Sequence, residues 1–331
     1  MLRGSLFAAL FVFLLAPVQA PGKDLSSEGI FKVGNANPEP GIPKQYHLDP
    51  QTLNYKLFPK YKLEVSQVEV YHLQFQSPFK SKHEVNNLVH GEYYLPPGAK
   101  NAPATVVLDI TGGNQALSRM VATHLASRGV AALFIQMAYY GPRRPPNSKL
   151  RLLSPDLNHT FLAIRQTVLD VRAAVAWLEQ RKEVDPTRLG ITGTSLGSMI
   201  GALSAEMEPK VSKVVVLLGG AGLVDGYFDH PYAKALSGAF VLFGGSRNQV
   251  KQMLSPVDPL TRAENLKGKQ LLQFAGRKDD IVPASMAEAL WEAAGKQEIH
   301  WYNCGHYTAA WYFLEVVNHI ADHMKKAPPE K

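Results

Sequence analysis

The chain has 331 residues, of which 46% are hydrophobic, so we predict a globular protein that buries a large core. It carries 35 Lys and Arg against 28 Asp and Glu, a formal charge of +7, but the basic residues are scattered, which argues against a nucleic-acid or anionic-membrane partner. The single cysteine, Cys304, excludes an internal disulfide, and no spacing of His and Cys is typical of a zinc site, so we expect no metal and no other cofactor.

The first 20 residues, "MLRGSLFAALFVFLLAPVQA", have the form of a secretory signal peptide. Arg3 precedes an apolar core at residues 6–16, which is too short to span a bilayer as a helix of about 20 residues. We predict cleavage after Ala20, with an uncleaved amphipathic anchor as the alternative. The protein is then expected to be secreted or periplasmic, with no stable membrane span after the signal is removed.

Residues 21–65 are rich in Pro, Gly, Lys and Asn and show no sustained periodicity, so we predict an irregular leader before a domain at residues 66–331. The domain begins with "QVEVYHLQFQS", which alternates apolar and polar residues. The segment "HEVNNLVHGEYYLPPGA" alternates again before a Pro-Gly stop. These two patterns predict two antiparallel strands joined by a loop.

The rest of the chain alternates short apolar runs with helical patterns. The runs are "ATVVLDI", "VAALFIQM", "LGIT", "KVVVLLG", "KQLLQFAG" and "EIHWYN", each typical of a strand buried on both faces. Parallel neighbours need crossover connections, so the pattern predicts an α/β fold with a mostly parallel central sheet and helices on both faces. The segment at about 222–265 is predicted to be an insertion in this single domain.

The stretch "GITGTSLGSMIG" places Ser195 between a predicted strand and a predicted helix. Glycines at 193 and 197 would relieve the crowding of a sharp turn there, and the pattern G-x-S-x-G is that of a nucleophile elbow. A simple Gly/Ser-rich turn and a phosphate-binding loop are the alternatives. A phosphate loop would place a Lys-Ser or Lys-Thr pair after its last glycine, where this chain has Ser198 and Met199.

A serine nucleophile needs a base and an orienting acid, which follow it along the chain in this architecture. "RKDDIVP" places Asp279 and Asp280 after the strand "KQLLQFAG", and "CGHYT" places His306 after the strand "EIHWYN". The alternatives are a turn that caps a helix and a surface histidine. Three such loops in this order predict a catalytic triad of Ser195, an aspartate and His306.

These motifs resemble the α/β-hydrolase superfamily, in particular its dienelactone-hydrolase-like and acetyl-xylan-esterase-like branch. The similarity runs from about residue 86 to residue 325 and includes "VDPTRLGITGTSLGS", "SPVDPLTRAENLKGKQLLQFAGRKDDIVP" and "CGHYT". The family pattern G-x-x-D-x-x-V-P falls on Gly276 to Pro283 and implies Asp279 as the acid, leaving Asp280 as a helix cap. True dienelactone hydrolases use cysteine where this chain has Ser195, so their substrate is not carried over.

The resemblance implies the α/β-hydrolase fold and a serine hydrolase that cleaves carboxylic esters through an acyl-enzyme. The oxyanion would be held by the amide of Leu196 and by one from Gly112, with Thr111 and Gly113 as alternatives. Acetylated carbohydrate or a small ester is the expected substrate. A serine peptidase or thioesterase of the same fold, and a catalytically silent binding protein, stay open, as does the oligomeric state.

Two further segments are candidates for substrate binding. "AYYGPRRPPNS" follows a buried strand at the same sheet edge, so its side chains could form the acyl or alcohol pocket: Tyr139, Tyr140, Arg143 and Arg144. A solvated basic loop with aromatic packing is the alternative. In this superfamily such an insertion often forms a cap, so Tyr227 and Phe228, in the first part of the predicted insertion, could roof the site. Cys304 is expected to be a packing residue.

Overall fold

The protein is described here by a computed structural model that covers residues 18–19, 27–34, 39–112, 114–231 and 233–328. The backbone alone is described at residues 18–19 and 235–236. Most of the predicted signal peptide, residues 1–17 and 20, lies outside the described residues, as does Gly113, one of the alternative oxyanion donors.

The described strands form one mixed sheet. They are β1 (Val18–Gln19), β2 (Ser27–Val33), β3 (Gln51–Leu63), β4 (Glu69–Gln76), β5 (Leu88–Leu95), β6 (Ala102–Leu108), β7 (Ala131–Ile135), β8 (Val184–Thr194), β9 (Lys213–Leu217), β10 (Gln270–Gly276) and β11 (Glu298–Tyr302). Their order is β1-β3-β4-β5-β7-β6-β8-β9-β10-β11, with β2 also paired to β3. From β7 to β11 in this order the neighbours are parallel, whereas β1 to β5 pair antiparallel. This confirms the predicted fold class.

Helices cover both faces of the sheet. They are α1 (Ala116–Ser127), α2 (Leu157–Glu179), α3 (Leu196–Glu206), α4 (Leu223–Tyr227), α5 (Lys234–Leu242), α6 (Arg247–Leu254), α7 (Ala284–Ala293) and α8 (Phe313–Lys325). Helices α1 and α8 share one buried apolar cluster, and α2 and α3 share the other. The longest helix, α2, begins where the Asp156 carboxylate accepts hydrogen bonds from the amides of Asn158 and His159, at 3.0 and 3.2 Å. Among the described helices, none is long and apolar enough to cross a membrane.

The leader at residues 21–65 differs from its prediction, because the structure places two strands within it. Strand β2 pairs antiparallel with residues 51–57 of β3, and β3 in turn pairs with β4. Phe31 and Leu57 are buried on this extension of the sheet. The register of β3 shifts between Pro59 and Tyr61, and a proline and a bulge interrupt the alternation by which a strand is read from sequence.

The segment predicted as an insertion lies between β9 and β10. It contains α4, α5, α6 and a 3-10 helix at Pro259–Leu266. The Asp258 carboxylate joins its two ends, because it accepts from the amides of Gly222 and Leu223 at 2.8 and 2.7 Å and from that of Leu260 at 2.9 Å. The insertion is thus a helical unit anchored where it leaves and rejoins the sheet.

Candidate active site

Ser195 stands on a strained turn between β8 and α3. Its backbone has φ +53° and ψ −120°, a conformation that residues other than glycine rarely adopt. A Cβ at Gly193 would lie 2.2 Å from the carbonyl oxygen of Gly197, and a Cβ at Gly197 would lie 2.3 Å from that of Asp109. Glycine is therefore required at both positions, and the turn has the geometry of a nucleophile elbow.

The loops after β10 and β11 bring an acid and a base to this turn. The Nδ1 atom of His306 lies 2.7 Å from Oδ2 of Asp279, and its Nε2 atom lies 3.0 Å from Oγ of Ser195. The other carboxylate oxygen, Oδ1 of Asp279, accepts from the amides of Ile281 and Val282, both at 2.9 Å. These bonds fix the carboxylate, which in turn favours the His306 tautomer with its proton on Nδ1.

The three side chains form a continuous hydrogen-bonded row at the carboxyl edge of the sheet. With the ring proton on Nδ1, Nε2 of His306 accepts from the Ser195 hydroxyl, so the imidazole can remove that proton. The side chains of Asp279 and His306 are 2% and 10% exposed, whereas Asp280 is exposed. Helix α7 begins at Ala284 and has no side-chain cap. The arrangement therefore joins Asp279, and not its neighbour, to the imidazole, and it leaves Asp280 without the predicted cap.

The predicted oxyanion donors lie on two adjacent segments. Leu196 is the first residue of α3, where a helix leaves its amides without intrahelical partners. Gly112 lies on the loop after β6 with φ +61°, and a Cβ there would be 2.8 Å from Nη1 of Arg151. The carbonyl oxygen of Asp109 lies against Gly197, so this loop abuts the first turn of α3.

The two predicted pocket tyrosines are buried beside this loop. Tyr139 is 4% exposed, and its hydroxyl lies 3.2 Å from Nδ1 of His83. Burial raises the pKa of Tyr140. Tyr140 also lines a small cavity with Asp109 and Ile110, which places it next to the loop after β6. Tyr139 thus faces a histidine, and Tyr140 is the member of the pair that approaches the candidate site.

Arg143 requires a correction, since the structure makes it part of the core and not of a substrate pocket. It is 0% exposed, and Nη2 donates to Oδ2 of Asp170 at 2.7 Å. The remaining nitrogens donate to the carbonyl oxygens of Asn86 and Gln136 at 2.8–3.0 Å. Each of its three nitrogens donates within the fold, because α2 passes beneath the loop and presents the matching carboxylate. Arg144 is only partly buried, and its Nε has no partner among the described residues.

The insertion and the loop after β11 line the approach to the site. The Tyr227 hydroxyl donates to the carbonyl of Ile281 at 2.8 Å, so α4 lies against the loop that holds Asp279. Phe228 instead packs under Arg247. Tyr307 and Trp311 follow His306 and are 63% and 73% exposed. Cys304 is buried, as expected of a packing residue.

Asp109 is a residue of this region that the sequence analysis did not select. It directly follows β6, so it belongs to the same edge as the triad residues. Its carboxylate is buried without a hydrogen-bond partner among the described residues. The available signal was a carboxylate at the end of a fully apolar strand, in "VVLDITGG". Within the described part of the chain, no group of three or more His, Cys, Asp or Glu side chains could hold a metal ion.

The fold and the elbow define an α/β-hydrolase fold, and solved structures agree. The acetyl xylan esterase 1 of Thermoanaerobacterium sp. JW/SL YS485 has a TM-score of 0.60 at 21% identity, covering 79% of this chain and 87% of that one. The acetyl xylan esterase of Paenibacillus sp. R4 has a TM-score of 0.62 at 19% identity, covering 85% and 96%. At these identities the likeness is one of fold.

Residues 50–239 match the family model described as alpha/beta hydrolase domain containing 18, and the chain belongs to this family. Its curated relatives include the uncharacterized protein Rv2307c of Mycobacterium tuberculosis (strain ATCC 25618 / H37Rv). That protein is 26% identical over 213 residues, which are 62% of this chain and 63% of the relative. The uncharacterized protein Rv2627c of the same strain is 29% identical over 148 residues, 43% of this chain and 33% of that protein. The chain thus spans less than two thirds of the length of either relative. The predicted superfamily is confirmed.

Proposed function

We propose that this protein is a serine hydrolase that cleaves carboxylic esters through an acyl-enzyme on Ser195. The observation that carries the proposal is the row of hydrogen bonds from Asp279 through His306 to Ser195, at 2.7 and 3.0 Å. In the first step His306 takes the hydroxyl proton as Oγ attacks the acyl carbonyl, and it then gives this proton to the leaving alcohol. In the second step His306 activates a water that releases the acid.

The developing oxyanion requires donors next to Ser195. The Leu196 amide is one, and the loop after β6 supplies the other. Loss of one such donor costs about 3 kcal/mol of transition-state stabilisation in other serine hydrolases. Because Ser195 is only 7% exposed, we propose a small acyl group such as acetyl, carried by a small or carbohydrate alcohol. Two acetyl xylan esterases of similar fold support this choice.

The test is a fluorophosphonate probe on the wild-type protein and on Ser195→Ala, followed by an ester panel. The panel contains p-nitrophenyl esters of increasing chain length, acetylated xylan, an acyl-CoA and an aminoacyl-p-nitroanilide. We expect labelling at Ser195 alone and the highest rates on acetyl esters. Folded wild-type protein that takes no label would be a silent binding protein, and a preference for the acyl-CoA or the anilide would identify a thioesterase or a peptidase.

We further propose that the chain is exported with cleavage after Ala20. The proposal rests on Arg3 and the apolar core at residues 6–16. Cleavage there would also remove β1, which pairs with Lys62 and Leu63 at the end of β3. Intact mass spectrometry of protein recovered from the extracytoplasmic fraction should give a chain that begins at Pro21. A full-length chain retained with the cells would contradict the proposal.

A further inference from the structure

A small cavity lies between the end of β7 and the loop that follows β6. Its lining residues include the polar Asp109, Gln136 and Tyr140 and the apolar Phe134, Ile135 and Met137. The volume of the cavity is about 10 Å³. That is close to the minimum that one water molecule needs.

Four buried polar atoms of these residues lack a hydrogen-bond partner among the described residues. They are both carboxylate oxygens of Asp109, Oε1 of Gln136 and the hydroxyl of Tyr140. If Asp109 is ionised, its two oxygens and Oε1 of Gln136 can only accept hydrogen bonds. The Tyr140 hydroxyl has one proton, so it can donate to only one of these three acceptors. Buried polar groups are almost always paired, so this cluster calls for an added donor small enough to enter the cavity.

We propose that one buried water molecule occupies this cavity, and that through it Asp109 positions the oxyanion loop, residues 109–112. A water molecule has two protons, one for Asp109 and one for Gln136, and its oxygen accepts the proton of Tyr140. Burial raises the pKa of Asp109, and the nearby amides of Ile110 and Gln115 and the Ser118 hydroxyl offset this rise only in part. Since neither carboxylate oxygen has a partner within hydrogen-bonding geometry among the described residues, both can accept from a further donor.

The loop that Asp109 begins carries the expected oxyanion donors. The carbonyl oxygen of Asp109 lies against Gly197, two residues beyond Ser195. Tyr140 lines the same cavity as Asp109 and Ile110, the first two residues of the loop. A water bridge from Asp109 to Gln136 and Tyr140 thus ties the loop to the end of β7 and holds its amides at a fixed distance from Ser195. This catalytic consequence rests on the proposed function, whereas the water site does not.

The kinetic test compares Asp109→Ala with Asp109→Asn. Misplacing one oxyanion donor acts on the transition state, so Asp109→Ala should lower kcat by about 10- to 100-fold and leave KM within about three-fold. Affinity for a trifluoromethyl ketone, which mimics the tetrahedral intermediate, should fall by the same factor as kcat/KM. Asn keeps an oxygen that can accept from the water, so Asp109→Asn should retain most of the activity.

The matched control is Glu206→Ala. Glu206 is also a buried carboxyl without a partner, but it lies at the far end of α3, about 15 Å from the elbow along the helix. Its removal should leave kcat and inhibitor affinity within about two-fold of wild type. If Asp109→Ala and Glu206→Ala lost kcat equally, the loss would be due to general destabilisation, and Asp109 would have no positioning role. Unchanged inhibitor affinity in Asp109→Ala would do the same.

A crystal structure of the wild-type protein at high resolution tests the water directly. We expect one ordered water within hydrogen-bonding distance of Asp109, Gln136 and Tyr140. A dry cavity, or side chains that bond one another without water, would refute the site. This measurement needs no activity, so it decides the inference even if the fluorophosphonate probe fails to label Ser195 and the proposed function is wrong.

Discussion

Two buried polar clusters lie near the carboxyl edge of the sheet, and they differ in what they leave unpaired. In the row from Asp279 to Ser195, the serine hydroxyl donates to His306 and accepts no hydrogen bond from a described residue. In the Arg143 cluster, both Arg143 and Asp170 are 0% exposed. There every guanidinium nitrogen and both carboxylate oxygens are bonded, the second oxygen to the hydroxyl of Ser77 at 2.6 Å.

This difference distinguishes a candidate reactive site from a cluster that stabilises the fold. A group that reacts must keep part of its bonding capacity for the substrate, and the row ends on Ser195, a residue that is 7% exposed. A group that stabilises the fold saturates that capacity, because an unpaired buried charge is costly. Variants in the two clusters should therefore fail in different ways, by losing turnover in the first and stability in the second.

The largest expected effect is that of Ser195→Ala. Turnover of a p-nitrophenyl ester should fall by about 10⁵- to 10⁶-fold, because the nucleophile is lost and only the oxyanion site and binding remain. The thermal midpoint should stay within about 2 °C of wild type, since the change removes one small polar group. Steady-state kinetics and calorimetry on the same preparation measure both. Substantial turnover in this variant would place the nucleophile elsewhere.

Asp279→Asn should come next, with Asp280→Asn as its matched neighbour. Without the carboxylate the imidazole loses the partner that fixes its tautomer, so kcat should drop by about 10³- to 10⁴-fold. Asp280 is exposed, and its amide variant should stay within a few-fold of wild type. Parallel kinetic assays of the two variants decide between them. If Asp280→Asn were the inactive one, the acid would be the wrong residue.

Asp170→Ala should break the other cluster. The substitution leaves the Arg143 charge buried and uncompensated, so the free energy of unfolding should fall by about 3–5 kcal/mol. KM should be unchanged for the fraction that remains folded. Urea denaturation gives the first quantity and kinetics at low temperature the second. Replacing both partners, with Arg143→Met and Asp170→Leu, should recover much of the stability, and a rise in KM in either variant would argue for a role in substrate binding.

A third polar cluster, around Glu92, extends the comparison to the pH dependence of stability. Burial alone would raise the pKa of Glu92, but hydrogen bonds from Arg119, Lys60 and Tyr94 lower it to about 2. Because this pKa is below that of the unfolded chain, ionised Glu92 stabilises the fold above pH 4.5, and the stability is lost as the pH falls toward 2.

Glu92→Gln should therefore lower the free energy of unfolding by about 3 kcal/mol at neutral pH. It should also weaken the fall of this free energy as the pH decreases from about 5 to about 2. Urea denaturation across this range measures it. The exposed carboxylate of Glu84 supplies the control, since Glu84→Gln should leave the pH dependence of the unfolding free energy unchanged. If the unfolding free energy fell as steeply with decreasing pH in Glu92→Gln as in the wild type, the cluster would not stabilise the ionised form of Glu92.

The strands and the loops that follow them could be read from the sequence, because a buried strand is a continuous apolar run and parallel strands end at one edge. That reasoning predicted Ser195, an aspartate and His306 as one cluster, and the family resemblance implied Asp279 as the aspartate. The structure brings these three residues into hydrogen-bonding contact. Strand β3 escaped detection because Pro59 and the adjacent register shift break its alternation. Arg143 was misjudged because its partner, Asp170, lies on another element, where local composition gives no hint of the pairing.

The order of strands also sets when the site can form as the chain is made. Ser195 follows β8, whereas its proposed base, His306, follows β11, which among the described strands pairs with β10 alone. A nascent chain that ends before this residue can build the elbow and still lacks the base that activates it. Because a domain generally folds as a unit, the proposed triad is incomplete until β11 and the loop that follows it have been synthesised. The chain is therefore expected to remain without esterase activity throughout most of its own synthesis.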